Sequence, residues 1–458
     1  MNPGDNNTID HLTRHFDAIT GAYFNSDNTE VSEILVAYSG GVDSTVLLVL
    51  AAEFAGNNQI PVSAIHVNHN LSANAGQWQQ HCIQTCEHLQ VPLTVKCVAV
   101  DTKGKGVEAA AREARYAAIA EVASEHCLVL LGQHQNDQVE TFLIQLLRGA
   151  GPEGLSGMAQ NSVNQYGTRL LRPLLHATRG EVEQYARQQG LSWVEDESND
   201  NSDYDRNFLR NQVLPLIKQR WPEMGKTISR SMSHIQEQNG LLRESVVNKF
   251  QRLSTARGCL NVKELKRLSL PWQKQVLKHW ISLKEAGQPS QNVLKRIIDD
   301  CMNAREDAQP VVKWGQWQCC RYDNELYLFG QSQAIPEGQW LLKINTQGES
   351  NIALPADAGV ISLRQPDSLT LENVVYLPDG AEVLVTFGGF SRRFRPRDSK
   401  ISKPINQWFK EWRVAPWLRQ KTPILQFRDE ILAVGDRVAK QFESQHLTAF
   451  ELKWETDD

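Results

Sequence analysis

Over its first two hundred residues the chain alternates short apolar runs with longer segments whose apolar positions recur every three or four residues. Strands are predicted at residues 34–38, 61–67, 93–100, 128–132 and 191–194, and helices at 45–55, 75–89, 107–125, 137–147 and 178–189. The last helix carries a capping box, Thr178 with Glu181, and a Gly190 stop. Strict β–α alternation predicts an α/β fold with a doubly wound parallel sheet, whose ligands bind at the carboxyl ends of the strands. Residues 1–33 are polar, with a helical pattern at Ile9, Leu12, Phe16 and Ile19, and are expected to pack on this first domain.

The pattern then changes twice. Residues 216–308 are helical in period, at 241–250, 262–268, 272–283 and 293–301, and their Lys274, Lys278, Lys295 and Arg296 are interleaved with hydrophobics. An RNA-facing helical domain and an ordinary solvated helix face both have this look. From Pro310 short alternating runs (318–329, 340–344, 382–386) predict a small α+β C-terminal domain. Within it Ile405, Trp408, Phe409 and Trp412 share one helix face, ended by Pro416 and expected to be core. The expected domains are therefore 1–215, 216–308 and 309–458, in keeping with a length of 458 residues.

Composition narrows the class only slightly. Hydrophobic content of 41% and charged content of 22% are ordinary for a folded chain. The net charge of −5 is unevenly spread: residues 391–421 carry ten Lys/Arg against Asp398 and Glu411, so this segment is +8 and the remainder −13. A basic segment of that density is the type that binds a phosphate backbone. Eight cysteines without a Cys-x-x-Cys pair offer neither a disulfide framework nor zinc spacing. The absence of a leader peptide points to the cytoplasm, and the longest apolar run, 46–52, is too short to span a bilayer, so no membrane partner is expected.

The densest chemistry lies in residues 34–50. A strand leads into Ser39-Gly40-Gly41-Val42-Asp43-Ser44 and then an apolar helix. Two glycines admit a bulky anion close to the backbone, the helix start offers free amides, and Ser39 and Ser44 add hydroxyl donors. Asp43 fits a phosphate site through an intervening Mg2+. A Walker loop would need a lysine here, and the turn has none. The stretch Ser-Gly-Gly-x-Asp-Ser after a strand resembles the PP-loop ATP pyrophosphatases, which cut ATP between its α and β phosphates; a capped strand-to-helix turn is the plainer reading.

Further polar clusters fall after the other strands. His66-Val67-Asn68-His69 reads as a loop lining a nucleotide or as a solvent-exposed edge. Glu108, Arg112 and Arg115 share a helix face, either salt-bridged to one another or facing phosphate. In residues 132–148, His134 stands at a helix entry and Asp137, Glu140, Thr141 and Arg148 share a face. Val139, Phe142, Leu143 and Leu146 form the expected packed side. Two carboxylates there could grip an ammonium or Mg2+, or simply favour the helix dipole. The glycine-rich stretch 148–158 suggests a substrate loop, followed by Arg172-Pro-Leu-Leu, Asp196-x-Ser-Asn, and Arg206-Asn207 with Arg210.

SGGVDS at 39–44, HVNH at 66–69, E-x-x-x-R-x-x-R-Y at 108–116, H-x-x-D-Q-x-E-T at 134–141, R-G-x-G-x-x-G-L at 148–155, RPLL at 172–175 and RN at 206–207 together resemble the bacterial tRNA(Ile)-lysidine synthases, densely over about the first 215 residues. Asn136 departs from a frequent Asp in that family, and Gln133 from a frequent His. The resemblance implies a PP-loop, adenine nucleotide α-hydrolase-like domain followed by helical and C-terminal tRNA-contacting domains. It implies ATP and Mg2+, a CAU-anticodon tRNA(Ile) and free L-lysine as partners, and by analogy a homodimer. It also implies Ser39 to Ser44 as the pyrophosphate site and Asp43 as the Mg2+ ligand. His134, Asp137 and Glu140 would be catalytic with Asp43. Arg112, Arg115, Arg148, Arg206, Asn207, Arg392, Arg393, Arg395 and Arg397 would be substrate or tRNA contacts. Other PP-loop chemistries, such as tRNA thiolation, and a non-catalytic tRNA binder are the alternatives.

Overall fold

The computed structural model describes residues 3–25, 31–70, 72–100, 106–255, 258–284, 286–287, 289–305, 308, 310–330, 338–345, 349–355, 358–366, 373–378, 380–440 and 447–455. The chain forms two compact units, Met1–Leu242 and Arg243–Asp458.

The first unit realises the alternating pattern. Its elements run α1 (Pro3–Phe24), β1 (Glu33–Ala37), α2 (Val42–Asn58), β2 (Val62–Asn68), α3 (Ala75–His88), β3 (Leu93–Cys97), α4 (Val107–Val122), β4 (Cys127–Leu130), α5 (Gln135–Leu147), α6 (Pro152–Leu155), β5 (Asn161–Val163), β6 (Arg169–Leu171) and α7 (Arg179–Gln188). Then follow α8 (Asp205–Phe208), a π-helical turn (Leu209–Val213), α9 (Leu214–Arg220) and α10 (Met224–Leu253). The sheet order is β3-β2-β1-β4-β6-β5, parallel throughout except for the β5–β6 hairpin. Helix α2 is apolar all round and accordingly buried from Val46 to Ala51. It shares a core with Leu12 and Phe16 of α1 and with Val182 and Tyr185 of α7, while α4 covers Leu35, Ile65 and Val129 with Ile119 and Tyr116.

One expected strand is not a strand. Residues 191–194 are irregular and join no sheet, and β4 pairs in parallel with β1 and β6. The segment satisfies its backbone differently: Val194 N–H donates to the Gly40 carbonyl at 3.0 Å, which fastens it to the turn after β1. Residue β-propensity alone cannot tell a ladder partner from a single clasp.

The second unit joins short helices to antiparallel sheets. Strand β7 (Leu260–Asn261) is followed by α11 (Val262–Lys266), α12 (Leu270–Leu283), α13 (Gln291–Arg296) and a π-turn (Ile297–Met302), then by β8 (Val311–Trp314), β9 (Trp317–Tyr322) and β10 (Glu325–Gly330). These strands form a sheet ordered β7-β10-β9-β8. One core unites Val276, Leu277, Trp280 and Ile297 of the helical stretch with Val312, Cys319 and Leu326 of the strands. Further along, a five-stranded antiparallel sheet (339–343, 382–386, 424–427, 430–434, 437–438) and a four-stranded one (350–353, 360–364, 374–377, 448–455) enclose a second core around Val383, Leu425, Phe450 and Leu452. Ile405, Trp408 and Phe409 are buried with Phe394, as their shared face predicts, and Trp408 Nε1 donates to the Phe394 carbonyl at 2.8 Å.

Candidate active site

The turn after β1 is built by its own small residues. Gly40 has φ of +90°, and a Cβ there would lie 2.9 Å from Cys82 Sγ and 3.0 Å from Val194 Cγ2, so glycine is required by both conformation and space. The Ser39 and Ser44 hydroxyls are 3.0 Å apart, Ser44 Oγ donates to the Gly41 carbonyl at 3.0 Å, and Ser39 N–H donates to Ser44 Oγ at 3.2 Å. Gly41 is the N-cap of α2 and has no side chain to cover the first turn, which leaves the helix start open to an anion. Gly132, after β4, presses on this turn from the side: a Cβ there would come within 3.3 Å of the Asp43 and Ser44 backbone.

Around Asp43 the fold assembles a charged cluster. His134 is 1% exposed, and its imidazole lies 3.5 Å from Asp43 on one nitrogen and 3.5 Å from Asp137 on the other. Asp137 also accepts the His134 backbone N–H at 3.0 Å, closing the start of α5. Burial disfavours a charged imidazole, but the two carboxylates outweigh it and raise the pKa of His134 above its ordinary value. Burial likewise acts to raise the pKa of Asp43, and His134, Arg179 and Arg210 reverse this and lower it. The cluster favours carboxylate and imidazolium together.

Glu140 lies deeper, its side chain 1% exposed. Arg210 meets it with a fork, Nε to Oε1 at 2.6 Å and NH2 to Oε2 at 3.0 Å, and reaches Asp137 Oδ1 at 3.2 Å. Arg206 adds an Nε contact to Glu140 Oε2 at 3.4 Å and donates from NH2 to Thr141 Oγ1 at 3.1 Å. Burial raises the pKa of Glu140 despite both arginines. Arg210 stands on the π-turn, whose wider winding is a local departure that often accompanies function.

The expected site residues separate into three groups. Ser39, Gly40, Gly41, Val42, Asp43 and Ser44 form one turn, and His134, Asp137, Glu140 and Arg206 converge on it or on each other through the contacts above. The packed side expected for α5 is partly inverted: Gln138, Val139 and Glu140 are buried, whereas Leu146 is 50% exposed. Arg148 ends α5, 65% exposed and 3.7 Å from Asp205, about 16 Å along the helix from Asp137. Asn207 donates to the Asn201 carbonyl at 2.9 Å, a loop-holding bond. Arg112 and Arg115 are exposed on α4, and the side chain of Glu108 lies outside the described residues. In the second unit Arg393 and Arg395 are exposed and bond the Ser402 and Ser399 carbonyls; Arg392 donates to the Gly389 carbonyl, and Arg397 to the Val374 carbonyl at 2.7 Å. His66 does not line a loop: it is buried in β2 and bonded to the Tyr38 carbonyl at 3.0 Å.

Two contributors had no role in the sequence reading. Arg210 was one member of a polar run, and its only local signal is its spacing of four from Arg206. Arg179, at the start of α7, lies 3.9 Å from Asp43, and its backbone N–H donates to Asn136 Oδ1 at 3.1 Å. Asn136 is thus a hydrogen-bond acceptor for α7, a role that needs no carboxylate.

A glycine turn between a parallel strand and its helix, with an aspartate on the first helical turn and no lysine, defines an ATP-binding domain of the PP-loop class, and the PP-loop domain model matches residues 11–217. Residues 260–327 match the TilS substrate binding domain, and 383–454 the TilS substrate C-terminal domain. The tRNA(Ile)-lysidine synthase of Vibrio vulnificus is 37% identical over 445 residues, spanning 96% of this chain and 99% of its own. That of Shigella flexneri is 38% identical over 416 residues, 88% and 91% of the two chains. The chain belongs to the tRNA(Ile)-lysidine synthase family. Among solved structures, the U34-tRNA thiolase NcsA from Methanococcus maripaludis overlaps 51% of this chain and 80% of its own at TM-score 0.43 and 17% identity, too distant to carry an assignment.

Proposed function

We propose that the chain converts the wobble cytidine of a CAU-anticodon tRNA(Ile) to lysidine, with ATP and free L-lysine as co-substrates, changing the codon read from AUG to AUA. The observation that carries the reading is the bridge of His134 between Asp43 on the phosphate turn and Asp137 on α5, which ties nucleotide chemistry to a buried acidic site. In the first step the C2 oxygen of cytidine attacks the α-phosphorus, the α–β bond breaks and pyrophosphate leaves. In the second, the lysine ε-nitrogen attacks C2, the C2–O bond breaks, AMP leaves and the amine loses a proton. Oxygen bound to C2 is a poor leaving group, and adenylation makes it a good one.

The residues divide the work. Ser39 to Ser44 would hold the departing pyrophosphate with hydroxyls and helix-start amides. Arg206 and Arg210, held by Glu140, supply positive charge beside it. Asp137, the more exposed of the two acids on α5, is suited to pair with the lysine ammonium and accept its proton. His134 fixes both aspartates. Magnesium fits this donor set: Asp43 Oδ1 is met only by the His134 imidazole, 3.5 Å away and beyond a close hydrogen bond, and one protein carboxylate completed by phosphate and water is ordinary magnesium coordination. Bound there, the ion would neutralise charge on the pyrophosphate.

Functionally we divide the chain into a catalytic part, 1–215, a helical tRNA-contacting part, 216–308, and a C-terminal part, 309–458, whose basic segment with Arg393 and Arg395 meets the phosphate backbone. The test is AMP and pyrophosphate release with purified protein, Mg2+, lysine and a CAU tRNA(Ile) transcript, each omitted in turn. Release that requires both RNA and lysine, with labelled lysine entering the RNA and Asp43→Ala inactive, is expected. Dependence on sulfur or ammonia instead of lysine would overturn the substrate, and ADP as product would overturn the pyrophosphate turn itself.

A further inference from the structure

Between α4 and the β5–β6 hairpin lies a cavity of about 470 Å³, lined among others by Arg112, Glu113, Tyr116, Ser162, Asn164 and Arg172. No residue of the phosphate turn, nor His134, Asp137 or Glu140, lines it. Arg172 is 5% exposed, and NH1 donates to the Ala159 carbonyl at 2.9 Å and to Ser162 Oγ at 3.0 Å. The Tyr116 hydroxyl also stabilises the guanidinium, but its Nε is buried without a hydrogen-bond partner, and among the described residues it makes no ion pair with a carboxylate. A guanidinium taken out of water is ordinarily matched by an anion, because its desolvation is otherwise uncompensated. Asn164 repeats the pattern: Oδ1 accepts from Tyr166 N–H at 2.9 Å and Thr168 N–H at 3.0 Å, while Nδ2 is buried and unpartnered. On the opposite wall Arg112 donates to Tyr116 Oη at 3.3 Å, with its guanidinium 5.1 Å from the Tyr116 ring. Two guanidinium groups against the one carboxylate of Glu113 leave the lining net positive.

We propose that this cavity is a phosphate subsite, separate from the pyrophosphate turn, in which Arg172, Asn164 and Arg112 receive one phosphate group of a ligand about the size of a nucleoside monophosphate. Buried donors with no acceptor and a fixed fork are suited to phosphate oxygens, and the volume falls in the range of small-ligand sites. Tyr116 offers a ring against which a base or ribose could pack. The phosphate can come from the RNA backbone or from a nucleotide, and this choice of ligands rests on the tRNA and ATP reading above.

The discriminating variant is Asn164→Asp in the full-length protein. It preserves the Oδ1 acceptor that forms the turn and replaces the buried, unpartnered NH2 with a carboxylate oxygen. Arg112→Gln, on the exposed wall, is the second variant and does not depend on the hairpin. Binding of the CAU tRNA transcript is measured by filter retention at several salt concentrations, and binding of ATP and AMP by calorimetry. The proposal expects both variants to melt with the wild type and to weaken one ligand by about tenfold. Loss confined to the RNA identifies a backbone phosphate, and loss of ATP or AMP affinity a nucleotide phosphate. Wild-type affinity for all three ligands in both variants overturns it. A wild-type protein that releases no AMP refutes the proposed reaction instead, and the nucleotide titrations still decide the subsite.

Discussion

Removing Arg210 is the sharpest perturbation of the acidic cluster. In Arg210→Met the methionine keeps much of the side-chain volume, but Glu140, 1% exposed, loses both fork bonds, at 2.6 and 3.0 Å. Breaking a buried pair by deleting one partner costs about 3–5 kcal/mol. The lower end applies here, because Arg206 stays 3.4 Å from Glu140 Oε2 and Arg210 itself is 26% exposed. For a unit the size of Met1–Leu242, about 3 kcal/mol corresponds to a fall of about 6–12 °C in the melting midpoint. The loss should depend on pH with a definite sign. Burial already raises the folded pKa of Glu140 above its unfolded value, and loss of Arg210 raises it further. The folded state then binds more protons than the unfolded one, so the penalty is greatest above the folded pKa and is relieved as pH falls through it. Melting followed by circular dichroism at pH 5.5 and 7.5 should show a larger deficit at 7.5, and Glu140→Leu combined with Arg210→Met should recover part of it. A deficit below about 2 °C at pH 7.5, or one equal at both values, would refute this account of the pair.

Three further outcomes are expected. Gly40→Ala puts a Cβ at φ +90° and within 3.0 Å of Cys82 and Val194, which should cost about 2–4 kcal/mol and raise the KM for ATP; an ATP titration beside a melt reads both. Arg393→Ala with Arg395→Ala should weaken tRNA binding and reduce the salt slope by about one per residue, since both are exposed; an unchanged slope would remove them from the interface. Of the eight cysteines, Cys97 is exposed and the other seven are buried, with burial pushing Cys82 up to about 12 and Cys86 to about 11. Alkylation at pH 8 should therefore modify Cys97 in the native protein and all eight in urea.

The α/β order of the first unit, the phosphate turn and the start of α5 were legible in the chain because each is a local matter: apolar period, small residues at a strand-to-helix turn, an acid on a first helical turn. Residues 191–194 show where local reading ends. Leu191 and Val194 carry apolar, β-leaning side chains, yet the place beside β4 goes to Arg169–Leu171, and Val194 instead clasps Gly40. The companions of the helices at 262–302 were equally out of reach, since their core is completed by Val312, Cys319 and Leu326 across the expected break at 308. In the site, sequence supplied His134, Asp137 and Glu140 but not which charges meet them. Arg210 is 70 residues from Glu140 and Arg179 is 136 from Asp43, and no periodicity reports contacts over such separations. The sequence by itself picked out the glycine turn at 39–44 and the acidic start of α5, because those signals span a single turn. Tertiary structure alone decided that Glu140 is buried under arginines and that Arg172 lines a cavity with no carboxylate partner among the described residues, because burial and charge pairing are set by chain segments that meet only on folding.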